Sequence, residues 1–329
     1  MSQKLDSKLM ADYLGRLRRD SREGQLLRLL KNEAVLWADD WHLLNDLEES
    51  EQAVLDRQHR RLASYQSTVR LLSELLGELE VPYSMIKAFR CHAYANTDVN
   101  VVVHPNNYPK VIREFLDRGW SIRSVFARTK EWLAERGKRK IVPDQPERFA
   151  EVHLYPCGTW HNLHYLSVEW VFKNSESHEQ AGAQVQTTSE MADLLMTYGH
   201  CAFERYNLTL GELYHCQTLR CRLGEEGLAK TREVADENGW LSSFELVDRT
   251  IEDWWDSNEP PQPPVFLPKA ELRNCWMTRS RYHLSHGHYR FALQEAVNHR
   301  LWISPAYHLY RRLKNLMRRT SSQKEKLGL

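Results

Sequence analysis

The chain has 329 residues, 42% hydrophobic and 10% aromatic, enough to bury a substantial core in one large domain or two modest ones. Its net charge of +1 excludes a uniformly basic or acidic protein, yet the charge is uneven: Lys269 to Leu329 holds 13 Lys/Arg against 3 Asp/Glu, so the remainder is acidic. The six cysteines lie far apart with no Cys-x-x-Cys pair, against a disulfide framework or zinc ribbon, and no stretch approaches the ~18 uncharged apolar residues of a membrane span.

The first eighty residues repeat apolar side chains at helical spacing: Leu5, Leu9, Tyr13 and Leu17, then Leu26 to Leu36, then Leu55, Leu62, Val69, Leu72, Leu75 and Leu76. The opening residues carry charges throughout and no apolar run, so they do not read as a signal peptide, and the expected location is cytoplasmic. Gly77 and Pro82 punctuate the helical pattern. Tyr83 to Lys87 then reads as a short strand, and Thr97-Asp98-Val99-Asn100-Val101-Val102-Val103 as a β-branched one. Pro105 to Leu116 returns to helical spacing and closes at Gly119. Trp120–Val125, Phe149–Tyr155 and His164–Phe172 follow as further strands. Ser189 caps a helix whose first turn holds Glu190 and Asp193, and helices are expected over 210–223, 225–238 and 242–255.

This order predicts an α+β fold, a mixed sheet with helices, flanked by N-terminal helices and a C-terminal helical region. The expected divisions are an N-terminal helical region (1–80), an α/β domain (81–175), a helical domain (176–257), a Pro-rich linker (258–268) and a basic C-terminal helical region (269–329).

On a strand, residues i and i+2 share a face, so Asp98 and Asn100 project together. Glu151 and His153 do the same in the later strand, and if the two strands are neighbours Asp98, Asn100 and Glu151 converge. Carboxylate and amide oxygens suit a divalent cation such as Mg2+, which shares its shell with substrate phosphates. The same residues at strand ends also serve as turn formers or simply face water.

The stretch from Val81 to Trp120 resembles the minimal nucleotidyltransferases of the polymerase-beta-like superfamily. Val81 to Lys87 is similar to that family's apolar strand and its lysine, Asp98-Val99-Asn100-Val101-Val102-Val103 to its Asp-x-Asp strand, and Lys110 to Gly119 to the helix that follows. Glu151-Val152-His153 stands where the family has its third acidic residue, and Ser189 to Leu213 resembles the helical pair beyond, with His200 at a position where histidine is frequent. The resemblance covers residues 80–225.

It implies a nucleotidyl group passed from a nucleoside triphosphate to a hydroxyl or amine of an acceptor, a small molecule or a protein. Asp98, Asn100 and Glu151 would be the catalytic and Mg2+-binding residues, with Lys87 and Arg90 on the phosphates. Two positions depart from the family pattern: Ala88 replaces the glycine after the lysine, and Asn100 replaces the second aspartate. Both an active enzyme and a catalytically degenerate module that binds nucleotide or a partner protein follow from that pattern.

Three further features have alternative readings. His153, His161 and His164, and separately His283, His286 and His288, cluster at spacings that zinc sites use, but surface or hydrogen-bonded histidines do the same. Trp254, Trp255 and Trp276 flank the proline segment near basic residues, as base-stacking aromatics would. The basic region, ending in a helical pattern over 307–319, is either a nucleic-acid or acidic membrane contact or a packed helix with its long side chains turned outward.

Overall fold

The computed structural model describes residues 49–88, 90, 91, 94, 96–123, 139–155, 166–257, 264–289 and 292. The helices expected before residue 49 and over 307–319, His161 and His164, and the prolines 260, 261 and 263 lie outside the described residues. The chain divides after Leu267 into two compact units.

The first unit opens with a long helix, α1 (Glu49–Glu78). Leu55, Tyr65, Val69, Leu72, Leu75 and Leu76 recur on one face and are buried. The helix runs through Gly77 and stops at Glu78. Glu80 takes the left-handed conformation (φ 50°) that helix ends require, and the Val81 N–H returns to the Leu76 carbonyl at 3.0 Å. Pro82 then releases the chain into β1 (Tyr83–Ile86). Next come β2 (Asp98–Val103) and α2 (Tyr108–Asp117), the latter burying Tyr108, Val111, Ile112 and Phe115. Gly119, at φ 84°, closes α2 as its sequence position predicts.

β3 (Ser121–Arg123), β4 (Arg139–Val142) and β5 (Glu151–Tyr155) follow. Residues 168–173 form a short helix, α3 (Val168–Lys173), where the apolar, β-branched composition predicts a strand. Its start is local: the Ser167 hydroxyl accepts the Trp170 N–H at 3.1 Å, an N-cap that outweighs the β-propensity of Val168 and Val171. A hairpin then adds β6 (Ser175–Gln180) and β7 (Ala183–Thr188), in the region expected to be helical. Ala181 and Gly182, at φ 55° and 75°, supply the two left-handed residues of a tight hairpin turn.

The resulting seven-stranded sheet has the order β3-β4-β5-β2-β1-β7-β6. β2 pairs β5 in parallel and β1 antiparallel, and β7 lies parallel to β1 with Met85 opposite Thr187. Val99, Val101, Val103, Met85, Ile141, Val152 and Leu154 share a core with α1 and α2 residues. Each fully buried aliphatic side chain there contributes about 1.5–3 kcal/mol.

Beyond the sheet lie α4 (Glu190–His200), a π-helical turn (Cys201–Arg205), β8 (Asn207–Leu208), α5 (Leu210–Glu237), α6 (Leu241–Asp256) and β9 (Val265–Phe266), which pairs with β8. Ser189 caps α4, and Thr209 with Glu212 forms a capping box on α5. α5 is kinked at Gly224 (φ 62°), where the sequence divides into two helical stretches. Trp240, Tyr198 and Phe244 pack ring against ring among these helices, and Trp254 stacks edge-on against Trp255 at 5.1 Å. The Trp255 Nε1 donates to the Leu213 carbonyl at 3.3 Å. A buried charge cluster joins α4, α5 and α6: Asp248 accepts from Tyr198 (2.7 Å), Arg232 (2.9 Å) and Arg220, and Arg220 also reaches Glu252.

The second unit contains α7 (Lys269–Ser285), in which Leu272, Cys275, Arg279 and His283 are buried at helical spacing. No helix among the described residues is long and apolar enough to cross a membrane.

Candidate functional site

Alternation along β2 gives the sheet two unlike faces. Val99, Val101 and Val103 turn toward the α1–α2 core, while Asp98, Asn100 and Val102 turn the other way. The register fixes what joins them: Asp98 is opposite Glu151, Asn100 opposite His153, and His153 in turn opposite Lys140 of β4. Side chains at paired positions rise on the same face. The structure thus brings together Asp98, Asn100, Glu151 and His153, as the sequence predicts for neighbouring strands, and adds Lys140 and Tyr155.

Their contacts form a connected chain. The Asn100 Nδ2 donates to Asp98 Oδ1 at 2.7 Å, and the Tyr155 hydroxyl donates to Asn100 Oδ1 at 3.1 Å. His153 stands between the two carboxylates, its Nδ1 3.1 Å from Asp98 Oδ2 and its Nε2 3.6 Å from Glu151 Oε2. Lys140 Nζ lies 3.4 Å from the same Glu151 oxygen. Asn100 and His153 are buried, whereas the Asp98 and Glu151 side chains are 22% and 28% exposed. The carboxylates are therefore reachable from solvent while Asn100 and His153 are not.

Asp98 and Glu151 are the site's hard oxygen donors. Two carboxylates suit Mg2+, which is commonly held by one or two of them together with substrate phosphates. The Asn100 oxygen is turned to Tyr155 instead. Among the described residues no group of three or more His, Cys, Asp or Glu is arranged to hold a metal ion, the group at His283, His286 and His288 included.

Lys87 sits just past β1, buried and in the left-handed conformation at φ 55°. An L-residue held there costs of order 1–3 kcal/mol, so the surroundings impose it. Ala88, next in line, has its carbonyl bound from two sides, by the Tyr65 hydroxyl at 3.3 Å and Gln180 Nε2 at 3.0 Å. Arg90 lies over the Tyr94 ring at 5.5 Å. Burial lowers its affinity for the proton, but the charges of Asp193, Tyr94 and Glu212 outweigh burial and hold its pKa above the usual value. Its buried Nη1 has no hydrogen-bond partner among the described residues.

Helices α4 and α5 anchor this loop. The Cys91 N–H donates to His215 Nδ1 at 3.3 Å, and His215 Nε2 is 2.7 Å from Asp193 Oδ2. Nδ1 accepts, so Nε2 carries the proton and Asp193 fixes the tautomer. Burial, reinforced by Arg90, pushes the His215 pKa down against the opposing pull of Asp193. Asp193 and His215 escape sequence reasoning because a first-turn acid on α4 looks like a helix-dipole partner, and a lone histidine on α5 looks like core. The Ser189 cap, whose hydroxyl accepts the Ala192 N–H at 3.4 Å, marks the start of α4 and so places Asp193 in its first turn. His200, singled out in the sequence, is also buried; near it, Glu212 has its pKa held below the usual value against burial, chiefly by the Arg205 guanidinium 3.1 Å away.

No protein-family model matches the chain, and no curated protein matches it. Among solved structures, it is similar to the antibiotic-resistance factor ANT(2'')-Ia, with 10% identity over 58% of this chain and 94% of that one at a TM-score of 0.35. It is also similar to an antigenic nucleotidyltransferase-like protein from Paracoccidioides brasiliensis, with 13% identity over 70% of this chain and 93% of that one at a TM-score of 0.30.

Proposed function

We propose that this chain is a nucleotidyltransferase-like protein that binds a nucleoside triphosphate with Mg2+ at the Asp98–Glu151 face and passes a nucleotidyl group to an acceptor hydroxyl or amine. One observation carries the reading: Asp98 and Glu151 are opposite each other on adjacent parallel strands, both partly exposed, with Asn100 between them and the buried interior. The resemblance of residues 80–225 to the minimal nucleotidyltransferases supplies the chemistry to test.

Asp98 and Glu151 would hold the cation, which when bound neutralises phosphate charge and orients the reacting groups. Asn100 keeps Asp98 in position through its amide and stands as the neutral third member of the set. Lys87 and Arg90 would meet the phosphates, and Arg90 Nη1, which has no hydrogen-bond partner among the described residues, would be a donor for a ligand oxygen. In the transfer, the acceptor oxygen or nitrogen forms a bond to the α-phosphorus, the bond from that phosphorus to the bridging oxygen breaks, pyrophosphate leaves, and the acceptor proton passes to solvent.

The state of Asn100 favours a second reading, a nucleotide-binding module that does not transfer. Its amide donates to Asp98 and its oxygen is occupied by Tyr155, so the third ligand contributes no charge. Calorimetry with nucleoside triphosphates, with and without Mg2+, and mass spectrometry for pyrophosphate and nucleotidylated products distinguish the two. Mg2+-dependent binding and product formation, both abolished in Asp98→Ala and Glu151→Ala, support transfer. Metal-independent binding without pyrophosphate supports the module, and no binding of any nucleoside triphosphate overturns both.

A further inference from the structure

Lys140 has no assigned part in the scheme above, yet its placement is specific. β4 pairs antiparallel with β5, and Lys140 is opposite His153, so its side chain rises on the face that carries Asp98, Asn100 and Glu151. Its neighbour Ile141 turns the other way and is buried in the core, which fixes the orientation of the strand. The ammonium reaches Glu151 Oε2 at 3.4 Å, with the lysine side chain 32% exposed.

Two consequences follow from charge alone. An ammonium on Glu151 occupies the oxygen that a divalent cation needs, so the two compete. A pair this exposed is also weak, because solvent screens it and the long side chain loses freedom in making it. Lys140 is thus held at the site without being committed to it. Its four-carbon stem and three donors make it a mobile point charge of the kind that binds phosphate.

We propose that Lys140 is a phosphate-binding residue of this site: its ammonium neutralises Glu151 in the ligand-free protein and moves onto the triphosphate when a cation takes the carboxylate. The proposal rests on the nucleotide-binding reading above. It makes the face poor at holding a cation alone and good at holding a cation together with phosphate.

The test measures two ligands separately in the full chain: Mn2+ alone, by electron paramagnetic resonance, and Mg2+ with inorganic tripolyphosphate, by calorimetry. In Lys140→Met the affinity for Mn2+ alone rises, up to about fivefold, because Glu151 loses its competitor. The affinity for Mg2+-tripolyphosphate falls about ten- to a hundredfold, because a charge-assisted hydrogen bond to phosphate is lost. Lys140→Arg keeps both values near wild type, and thermal unfolding of both variants checks that the sheet is intact. Effects of the same sign on the two ligands, or no effect on either, overturn the role of Lys140 while wild-type binding leaves the Asp98–Glu151 reading standing. A wild type that binds neither ligand overturns both.

Discussion

Placing a carboxylate at position 100 puts the site's electrostatics to a direct test. In the wild type the Asn100 amide donates to Asp98 Oδ1 at 2.7 Å, inside a position that is 4% exposed. Asn100→Asp replaces that donor with a second negative charge. Two unit charges about 4 Å apart repel by about 4 kcal/mol at the effective dielectric of ~20 that suits protein sites. The Tyr155 hydroxyl can still donate to the new carboxylate, so that half of the network survives. Relaxation of the Asp98 side chain reduces the cost, and we expect the metal-free variant to lose about 3 kcal/mol, or roughly 6–12 °C in thermal midpoint for a unit of this size. A divalent cation reverses the effect, since it binds three carboxylates better than two. At a hundred times its dissociation constant it returns about 2.7 kcal/mol. Differential scanning fluorimetry at pH 7, in EDTA and in millimolar Mg2+, reads both quantities. A variant as stable as wild type in EDTA, or one that Mg2+ stabilises no more than wild type, would refute the geometry on which the site is built.

Three further outcomes follow from the helical half of the first unit. His215 is neutral in the fold because burial lowers its pKa, so below its ordinary value of about 6.5 the unfolded chain takes up a proton that the folded chain refuses. Its contribution is fully present above that pH and declines as the pH falls toward the folded pKa, by at most about 1.4 kcal/mol per pH unit. Urea unfolding of wild type and His215→Asn between pH 7.5 and 5 should show the steeper decline in wild type, and identical slopes would contradict it. Removing the acid that joins three helices, Asp248→Ala, leaves Arg220 buried without its central partner and should cost about 3–5 kcal/mol in denaturant unfolding. A loss below about 1 kcal/mol would mean that the cluster is solvated. Burial pushes the Cys201 and Cys216 thiols well above their ordinary range and Cys91 up to about 11, while Cys221 is exposed. Peptide mapping after iodoacetamide treatment of the folded protein should find Cys221 labelled ahead of these three, and early labelling of Cys216 would count against the packing of α5.

The sequence is most legible where pattern and burial coincide. Thr97 to Val103 announces β2 because its β-branched residues alternate with Asp98 and Asn100, and the same two-residue period aims Glu151 and His153 at a common face. What joins those strands is the register between β2 and β5, which no local spacing encodes. Lys140 stays hidden for the same reason: its strand follows fifteen residues outside the described structure, and only pairing with His153 brings it to the site. The β6–β7 hairpin is missed because Ser175 to Gln180 is polar throughout, as suits a strand at the edge of a sheet, where charged side chains discourage pairing with another chain. Residues 168–173 fail in the opposite sense: Val168 and Val171 suggest a strand, but one serine hydroxyl at the start of the segment decides for a helix.

Parallel pairing of β2 with β5 also dictates when the face can come into being during folding. Asn100 and its partner Tyr155 are 55 positions apart, so the chain must close a long loop before either side chain has its neighbour. A polypeptide emerging from the ribosome carries the whole Asp98 strand well before it carries anything to set beside it. The meeting of Asp98 with Glu151 is therefore a late mark of sheet completion, absent from any nascent chain that stops short of Glu151.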